Sequence, residues 1–542
     1  MAVPASPADP YAGRVDERDS GVTLAELLAA FSLATDLGLG QPMEHLLRSW
    51  QIASRLGRRA GLPDEQQPAL FHVAMLSWVG CVADAPEVTA SFGDDIEFRA
   101  DSYEADLGGL SGMAFFLGHA GRGQPLSRRL RTAATMAATG GSRVLRGIQG
   151  HCLVTSTLSD QLGLPTETSE AVRQFFSRWD GQGVPRGVRG EQIALVVRLF
   201  HLGDVVEVHH RRSGVAAAVE VARARSGSQF DPRLVDAFCS AAAEVLPGAE
   251  DEYDAHQLFS QEPGLAGRLG DDELDAALVA LADFTDLRCP SRTGHSRGVA
   301  DLSAEAARRL RLPADEVKAV YRAGLVHDVG LHGVPATILD KPGPLTGTEQ
   351  ERLRAASYFT ERVLARPGSL ARLGAIAGLA HERMDGSGYH RGVSGQGIPL
   401  PGRILAAACA FRELVEPRSN RPARTLKEAT GVVRAEIASG RLDQAAADAV
   451  LAAAGAGTRR RVAGPAGLTP REIEVLGLIA RGAATADVAG RLGISRKTAG
   501  THIERIYAKT GASSRSTATL FALRNGLLGV FEDRQDSQSP DS

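Results

Sequence analysis

Between residues 295 and 312 the apolar positions Val299, Leu302, Ala306 and Leu310 recur every three or four residues, which predicts a helix with one buried face. A Leu-Pro pair ends it, and a second apolar run leads to VHDVGLHGVP (326 to 335). The same pattern occurs upstream. HLLRSWQIASRLGRRAGLPDEQQPALFHVAMLSWVG (45 to 80) aligns without gaps on HSRGVADLSAEAARRLRLPADEVKAVYRAGLVHDVG (295 to 330), at an offset of 250. A Gly-rich loop and a further helix follow in each: RWDGQGVPRGVRGEQIALVVRLFHLGD (178 to 204) and RMDGSGYHRGVSGQGIPLPGRILAAAC (383 to 409) share 11 of 27 positions at an offset of 205. The chain is therefore duplicated. The two offsets differ by 45, which places an insertion in the first copy, within 81–150.

The pattern changes after GAGTRRRVAGPAG (455 to 467), a Gly/Ala/Arg stretch without apolar periodicity. Residues 468–528 predict four short helices. Thr469 caps the first, with Pro470 at its opening and Glu472 closing a capping box, and Gly482 ends it. A second helix ends at Gly493. Ser495 caps a third, and Ser514 starts a fourth. Helix, Gly-containing turn, helix is the pattern of a DNA-binding helix-turn-helix whose second helix enters the major groove. The third helix carries donors suited to phosphates and base edges, namely Ser495, Arg496, Lys497, Thr498, Thr501, His502, Arg505 and Lys509, opposed only by Glu504.

Composition supports helices, since apolar residues reach 43% while aromatics are only 5%. The 61 Lys and Arg nearly balance the 64 Asp and Glu, so attraction to nucleic acid must come from a local patch. Five scattered cysteines without CxxC spacing fit a reducing compartment. The polar, Pro-rich residues 1–21 lack a signal-peptide core, and no run reaches the roughly 20 apolar residues expected of a membrane span. The expected location is cytoplasmic, with no membrane partner. Residues 1–21 and 531–542 are expected to be disordered. The expected units between them are 22–245 (first copy), 270–454 (second copy), 455–467 (linker) and 468–530.

In the second copy, TGHS (293 to 296), HDVGLHGVPATILDKPGPLT (327 to 346) and HERMDGSGYHRGVSGQGIPLPGRIL (381 to 405) resemble the HD-GYP family of metal-dependent phosphohydrolases. The resemblance implies an all-α chain of two tandem HD-GYP-like bundles. It also implies chemistry on cyclic di-GMP, in which metal ions held by imidazoles and carboxylates turn water into a nucleophile. Of the family's ligand positions the second copy keeps His295, His327, Asp328 and His381. Ala356, Ala380 and Cys409 stand at three others, Leu331 replaces a lysine, and the GYP tripeptide has become Gly388, Tyr389 and His390. The first copy keeps His45, His151 and Asp204, but has Ser77 and Trp78 for the His-Asp pair and Phe175 and Phe176 for a His-His pair.

Such losses weigh against a bimetal hydrolase. Two readings remain open: one divalent ion, zinc or iron, held by His295, His327, Asp328 and Cys409 with His381 nearby, or a degenerate body that binds a ligand or partner without turning it over. A composite site of His151, Asp204, His327 and Asp328 is disfavoured because equivalent positions in two bundles lie apart. His209 and His210, beside Arg211 and Arg212, are expected on the solvated surface.

Residues 468–528 closely resemble the LuxR/FixJ-type helix-turn-helix, a four-helix domain whose fourth helix pairs with its mate on DNA. Ala499 and Thr510 depart from its pattern without removing a DNA contact. The expected protein is a transcription regulator that binds double-stranded DNA as a homodimer, with a body that senses a cyclic dinucleotide or a protein. The alternative is a cyclic di-GMP phosphodiesterase that carries a DNA-binding module.

Overall fold

The structure is a computed structural model that describes residues 21–138, 142–248, 262–455 and 465–529. The expectations for 1–20, for the middle of the linker (456–464) and for 531–542 lie outside them. The described residues are helical and contain no strand.

The first copy comprises α1 (Leu24–Gly38), α2 (His45–Arg59), α3 (Gln67–Leu76), α4 (Cys81–Phe92), α5 (Asp95–Ser102), α6 (Gly109–His119), α7 (Leu126–Ala138), α8 (Ser142–Gln161), α9 (Thr166–Arg173), α10 (Leu195–Ala224), α11 (Pro232–Ser240) and α12 (Ala242–Val245). The second comprises α13 (Asp271–Asp286), α14 (His295–Arg309), α15 (Ala314–Val326), α16 (Ala336–Leu339), α17 (Gly347–Ala365), α18 (Ala371–Ala377), α19 (Leu400–Val415), α20 (Leu426–Ala438) and α21 (Gln444–Gly455). The duplication read from the offsets is a duplication of helices. Both ends of α2 and α14 coincide at an offset of 250, and α8 and α17 begin together at an offset of 205, as do α9 and α18. The insertion supplies α4 to α7, which have no counterpart in the second copy.

Local signals start these helices. The Thr23 hydroxyl accepts from the Glu26 amide at 3.1 Å while the Glu26 carboxylate accepts from the Thr23 amide at 2.9 Å, a reciprocal cap for α1. Thr346 and Glu349 do the same for α17. A tight approach explains one glycine in each copy. A Cβ on Gly80 would fall 2.5 Å from His151, and one on the equivalent Gly330 would fall 2.0 Å from the Ala356 carbonyl, so only glycine lets these chains meet.

The two copies are not separate bundles, because a single hydrophobic core runs from Val22 to Val450. Buried charge crosses the same boundary. Asp95 of α5 accepts from Arg288 and Arg99, each at 2.6 Å, and from the Ala336 amide at 2.9 Å. Asp64–Phe92 corrects the expectation that no run is apolar enough to span a membrane. It passes that test by composition, yet it is divided among a 3-10 turn, α3 and α4, and 78% of its most apolar window is buried inside the protein.

The C-terminal module has the four expected helices: α22 (Pro470–Ala480), α23 (Thr485–Leu492), α24 (Arg496–Thr510) and α25 (Arg515–Arg524). Its core is its own, built from Val475, Leu476, Val488, Ala499, Ile506 and Ala518 among others. The module is nevertheless docked. Leu520 of α25 belongs to the core of the helical body, and the Ser516 hydroxyl donates to the Ala83 carbonyl at 2.7 Å.

Candidate functional site

In the second copy, α14 opens at His295 after Gly294, which takes a left-handed φ of 79°. His295 is buried. Its Nδ1 lies 2.6 Å from a Glu416 carboxylate oxygen and must donate to it, which leaves Nε2 as a bare lone pair with no hydrogen-bond partner. His327 follows α15, and its Nδ1 donates to the Gly324 carbonyl at 2.8 Å, so its Nε2 carries the lone pair. That nitrogen faces the Cys409 sulfur of α19 at 3.8 Å and Asp328 at 3.6 Å. One donor atom from each of His295, His327 and Cys409 lies within 4.8 Å of the other two.

The fit to one ion is good. Two neutral imidazoles and a sulfur suit a soft divalent ion such as zinc or iron, and an unpartnered nitrogen at 0% exposure is costly unless something occupies its lone pair. Burial, with the carboxylates of Glu413 and Asp328 nearby, pushes the Cys409 thiol well above its ordinary value, so the sulfur needs a cation before it ionises. A second ion finds apolar side chains at Ala356 and Ala380. His381 stacks on Tyr389 at 5.0 Å and forms an adjoining group with Cys409 and Glu413. Burial holds its imidazole down at about 4.

Asp328 is already engaged. Arg292 donates to it and reaches Glu413 at 3.3 Å with its other nitrogen. Burial opposes the charged carboxylate, but the Arg292 guanidinium outweighs it and holds Asp328 far below the usual range. Three residues of this site were missed from sequence: Arg292, Glu413 and Glu416. Helical spacing carries one of them, since Cys409 and Glu413 fall at i and i+4 on one face of α19; Glu416 caps its end in an extended conformation. No local pattern marks Arg292, which enters from the turn before α14.

The first copy closes every equivalent group on protein. His45 Nδ1 meets Glu207 at 2.5 Å and Nε2 meets Asp204 at 3.0 Å, so both nitrogens must donate and the ring is an imidazolium. Burial pulls its pKa down, yet Glu207 and Asp204 raise it to about 10. The Trp78 indole, at the position of Asp328, donates to Asp204 at 3.0 Å, and the Tyr103 hydroxyl donates to its other oxygen at 3.3 Å. Phe175 packs edge-on against Trp78 at 4.9 Å. His151 Nε2 donates to the Ser77 carbonyl at 2.7 Å, and its Nδ1 faces Asp84, which also pairs with Arg99. His151, Asp204 and His327 thus belong to three different clusters, and no composite site forms.

His209 and His210 are not solvated, contrary to expectation. Both are half-buried, with Nε2 atoms 3.4 Å and 3.0 Å from the carbonyls of Tyr103 and Pro247, because α10 is packed along this stretch as well.

On the C-terminal module, Ser495 accepts from the Thr498 amide at 3.0 Å and starts α24. Ala499 and Ile506 are fully buried beneath it, while Arg496, Lys497, Thr498, Thr501 and Arg505 stand exposed along its outer face. His502 is half-buried. Lys509 is committed elsewhere: it donates to Glu472 at 2.7 Å and to the Gly467 carbonyl at 3.0 Å, which clamps the end of α24 to the cap of α22.

Residues 280–446 match the HD domain family, and residues 466–522 match the bacterial regulatory proteins of the luxR family. The chain joins an HD domain to a LuxR-type domain. Among similar proteins, the 3'3'-cGAMP-specific phosphodiesterase 3 of Vibrio cholerae is 28% identical over 418 residues, 76% of this chain and 91% of the relative. That alignment is too long for one copy, so the likeness extends beyond the HD domain. A cyclic di-GMP phosphodiesterase of Thermotoga maritima is 35% identical over 161 residues, 29% of this chain and 44% of the relative. A crystal structure of a cyclic GMP-AMP specific phosphodiesterase from V. cholerae superposes with a TM-score of 0.58 at 26% identity, covering 81% of this chain and 99% of the other.

Proposed function

We propose that this protein is a cytoplasmic transcription regulator that reads double-stranded DNA as a homodimer, and that its HD-type body is a sensor holding one divalent ion, zinc or iron. The carrying observation is the contrast between an intact DNA face and a depleted metal centre. Arg496, Lys497, Thr498, Thr501 and Arg505 project from a capped, well-packed helix. The body brings together donors for one ion from His295, His327 and Cys409, with His381 adjoining, and Asp328 stands 3.6 to 3.7 Å from the two imidazoles as the fourth candidate ligand. When bound, the ion would supply a Lewis acid there. The residues themselves orient it: Glu416 fixes the tautomer of His295, and the Gly324 carbonyl fixes that of His327.

A gel-shift titration tests the DNA function. Lys497→Ala or Arg505→Ala should weaken binding at least tenfold with the fold intact, and unchanged affinity would sink it. The relatives support a second reading, a phosphodiesterase acting on cyclic GMP-AMP or cyclic di-GMP. Turnover of either compound by the purified chain, abolished by His327→Ala, would establish that reading; stoichiometric metal without cleavage would leave a sensor.

A further inference from the structure

We infer that Arg292 is a resident cation standing in for the ion at Asp328, and that its replacement by a divalent ion unlatches the LuxR-type domain from the body. This rests on the one-ion reading above. The turn from Cys289 to Gly294 has two faces. Inward, Arg292 spans Asp328 and Glu413. Outward, Pro290 and Thr293 hold the DNA-binding domain: the Thr293 hydroxyl lies 2.9 Å from the Ala480 carbonyl at the end of α22 and 2.9 Å from the Pro290 carbonyl. Gly482, just beyond α22, comes so near that a Cβ on it would fall 2.8 Å from Pro290. The next residue after the turn is the ligand His295. One short stretch therefore carries an ion ligand, the competing cation and the latch.

Charge favours exchange over coexistence. A guanidinium keeps its proton at any working pH, so it cannot adapt to a second cation at the same carboxylate by deprotonating. Arg292 already spans the carboxylates of Asp328 and Glu413, so a divalent ion at Asp328 would set two cations side by side in a buried site, and one displaces the other. Arg292 leaves by moving the turn that carries it, and that movement separates Thr293 and Pro290 from α22.

The latch also masks the helix that matters for assembly. In the docked state the DNA-contacting side chains of α24 remain exposed, whereas Thr519 and Leu520 of α25 are 2% exposed against the body. Docking thus leaves DNA contact available to one chain and withholds the fourth helix from a second copy.

Hydrogen exchange of the full chain, measured by mass spectrometry over 515–524, reads the latch directly. With chelator these amides should be protected, and one equivalent of zinc should speed their exchange at least tenfold. Arg292→Ala should bind zinc at least tenfold more tightly and show fast exchange without it. Thr293→Val, which alters no ligand, should show fast exchange in chelator and, because unlatching and zinc binding are coupled, should also bind zinc more tightly than the wild type. Zinc bound at one per chain with undiminished protection would overturn the latch. Equal zinc affinity in the wild type and Arg292→Ala would overturn the exchange. Failure of the regulator reading would show separately, as absent DNA binding in the gel shift.

Discussion

His45 and His295 occupy one position in the two copies and have opposite states. His45 is a buried imidazolium fixed between Asp204 and Glu207. His295 is pushed the other way, its ordinary pKa lowered by burial and by the nearby guanidinium groups of Arg292 and Arg418 against the pull of Glu416. A charged ring has no lone pair to offer a metal and a neutral one has, so the identity of a residue says little about its role until its neighbours are known. In the first copy a protonated histidine supplies the positive charge its carboxylates need. In the second copy that charge comes from Arg292, which can be exchanged.

Removing each histidine in turn should separate the two copies most clearly. His45→Ala leaves Asp204 buried without its counterion and Glu207 with Arg211 alone, and should cost about 3–5 kcal/mol of stability in urea unfolding, with zinc uptake unaffected. If the loss is under about 1 kcal/mol, the first copy is not held together by this network. Trp78→Phe keeps the aromatic packing and deletes only the indole donor to Asp204, so a smaller loss of about 1.5–3 kcal/mol is expected in the same assay.

Alkaline pH gives a graded version. The folded pKa of His45, about 10, exceeds the unfolded value of about 6.5, so its stabilisation is complete below 6.5 and is lost as pH rises through 10. Between those limits stability should fall by up to about 1.4 kcal/mol per pH unit, and His45→Gln should flatten that slope. A slope that persists in the variant would assign the proton to another group. The smallest stability change belongs to the second copy. His327→Ala should cost about 1–2 kcal/mol of unfolding free energy once zinc is chelated, because Nδ1 loses the Gly324 carbonyl and Nε2 only its long contact with the Cys409 sulfur, yet abolish zinc uptake in calorimetry.

The repeats and the C-terminal domain were legible because their signals are local. Offsets of 250 and 205 paired helices of the two copies, several of which start at equivalent residues, and Thr469, Glu472 and Ser495 marked caps that the structure contains. The site was legible only in part. His327 and Cys409 declare themselves by type, whereas Arg292 acquires its role from Asp328 and Glu413, partners 36 and 121 positions away. Lys509 shows the converse: a lysine expected to meet DNA whose ammonium is paired with Glu472 instead. Adjacent histidines at 209 and 210 read as surface because nothing local announces the carbonyls they meet.

Asp95 ties the first half of the body to the site in the second. The insertion places this carboxylate on Arg288, at the start of the turn that leads to Arg292, and on the amide of Ala336, just after the His-Asp loop. The half that lost its own ligands thereby became the wall of its neighbour's pocket. Through Asp95 the first copy serves its neighbour as masonry: it holds in place the two stretches of chain from which Arg292 and Asp328 reach the site.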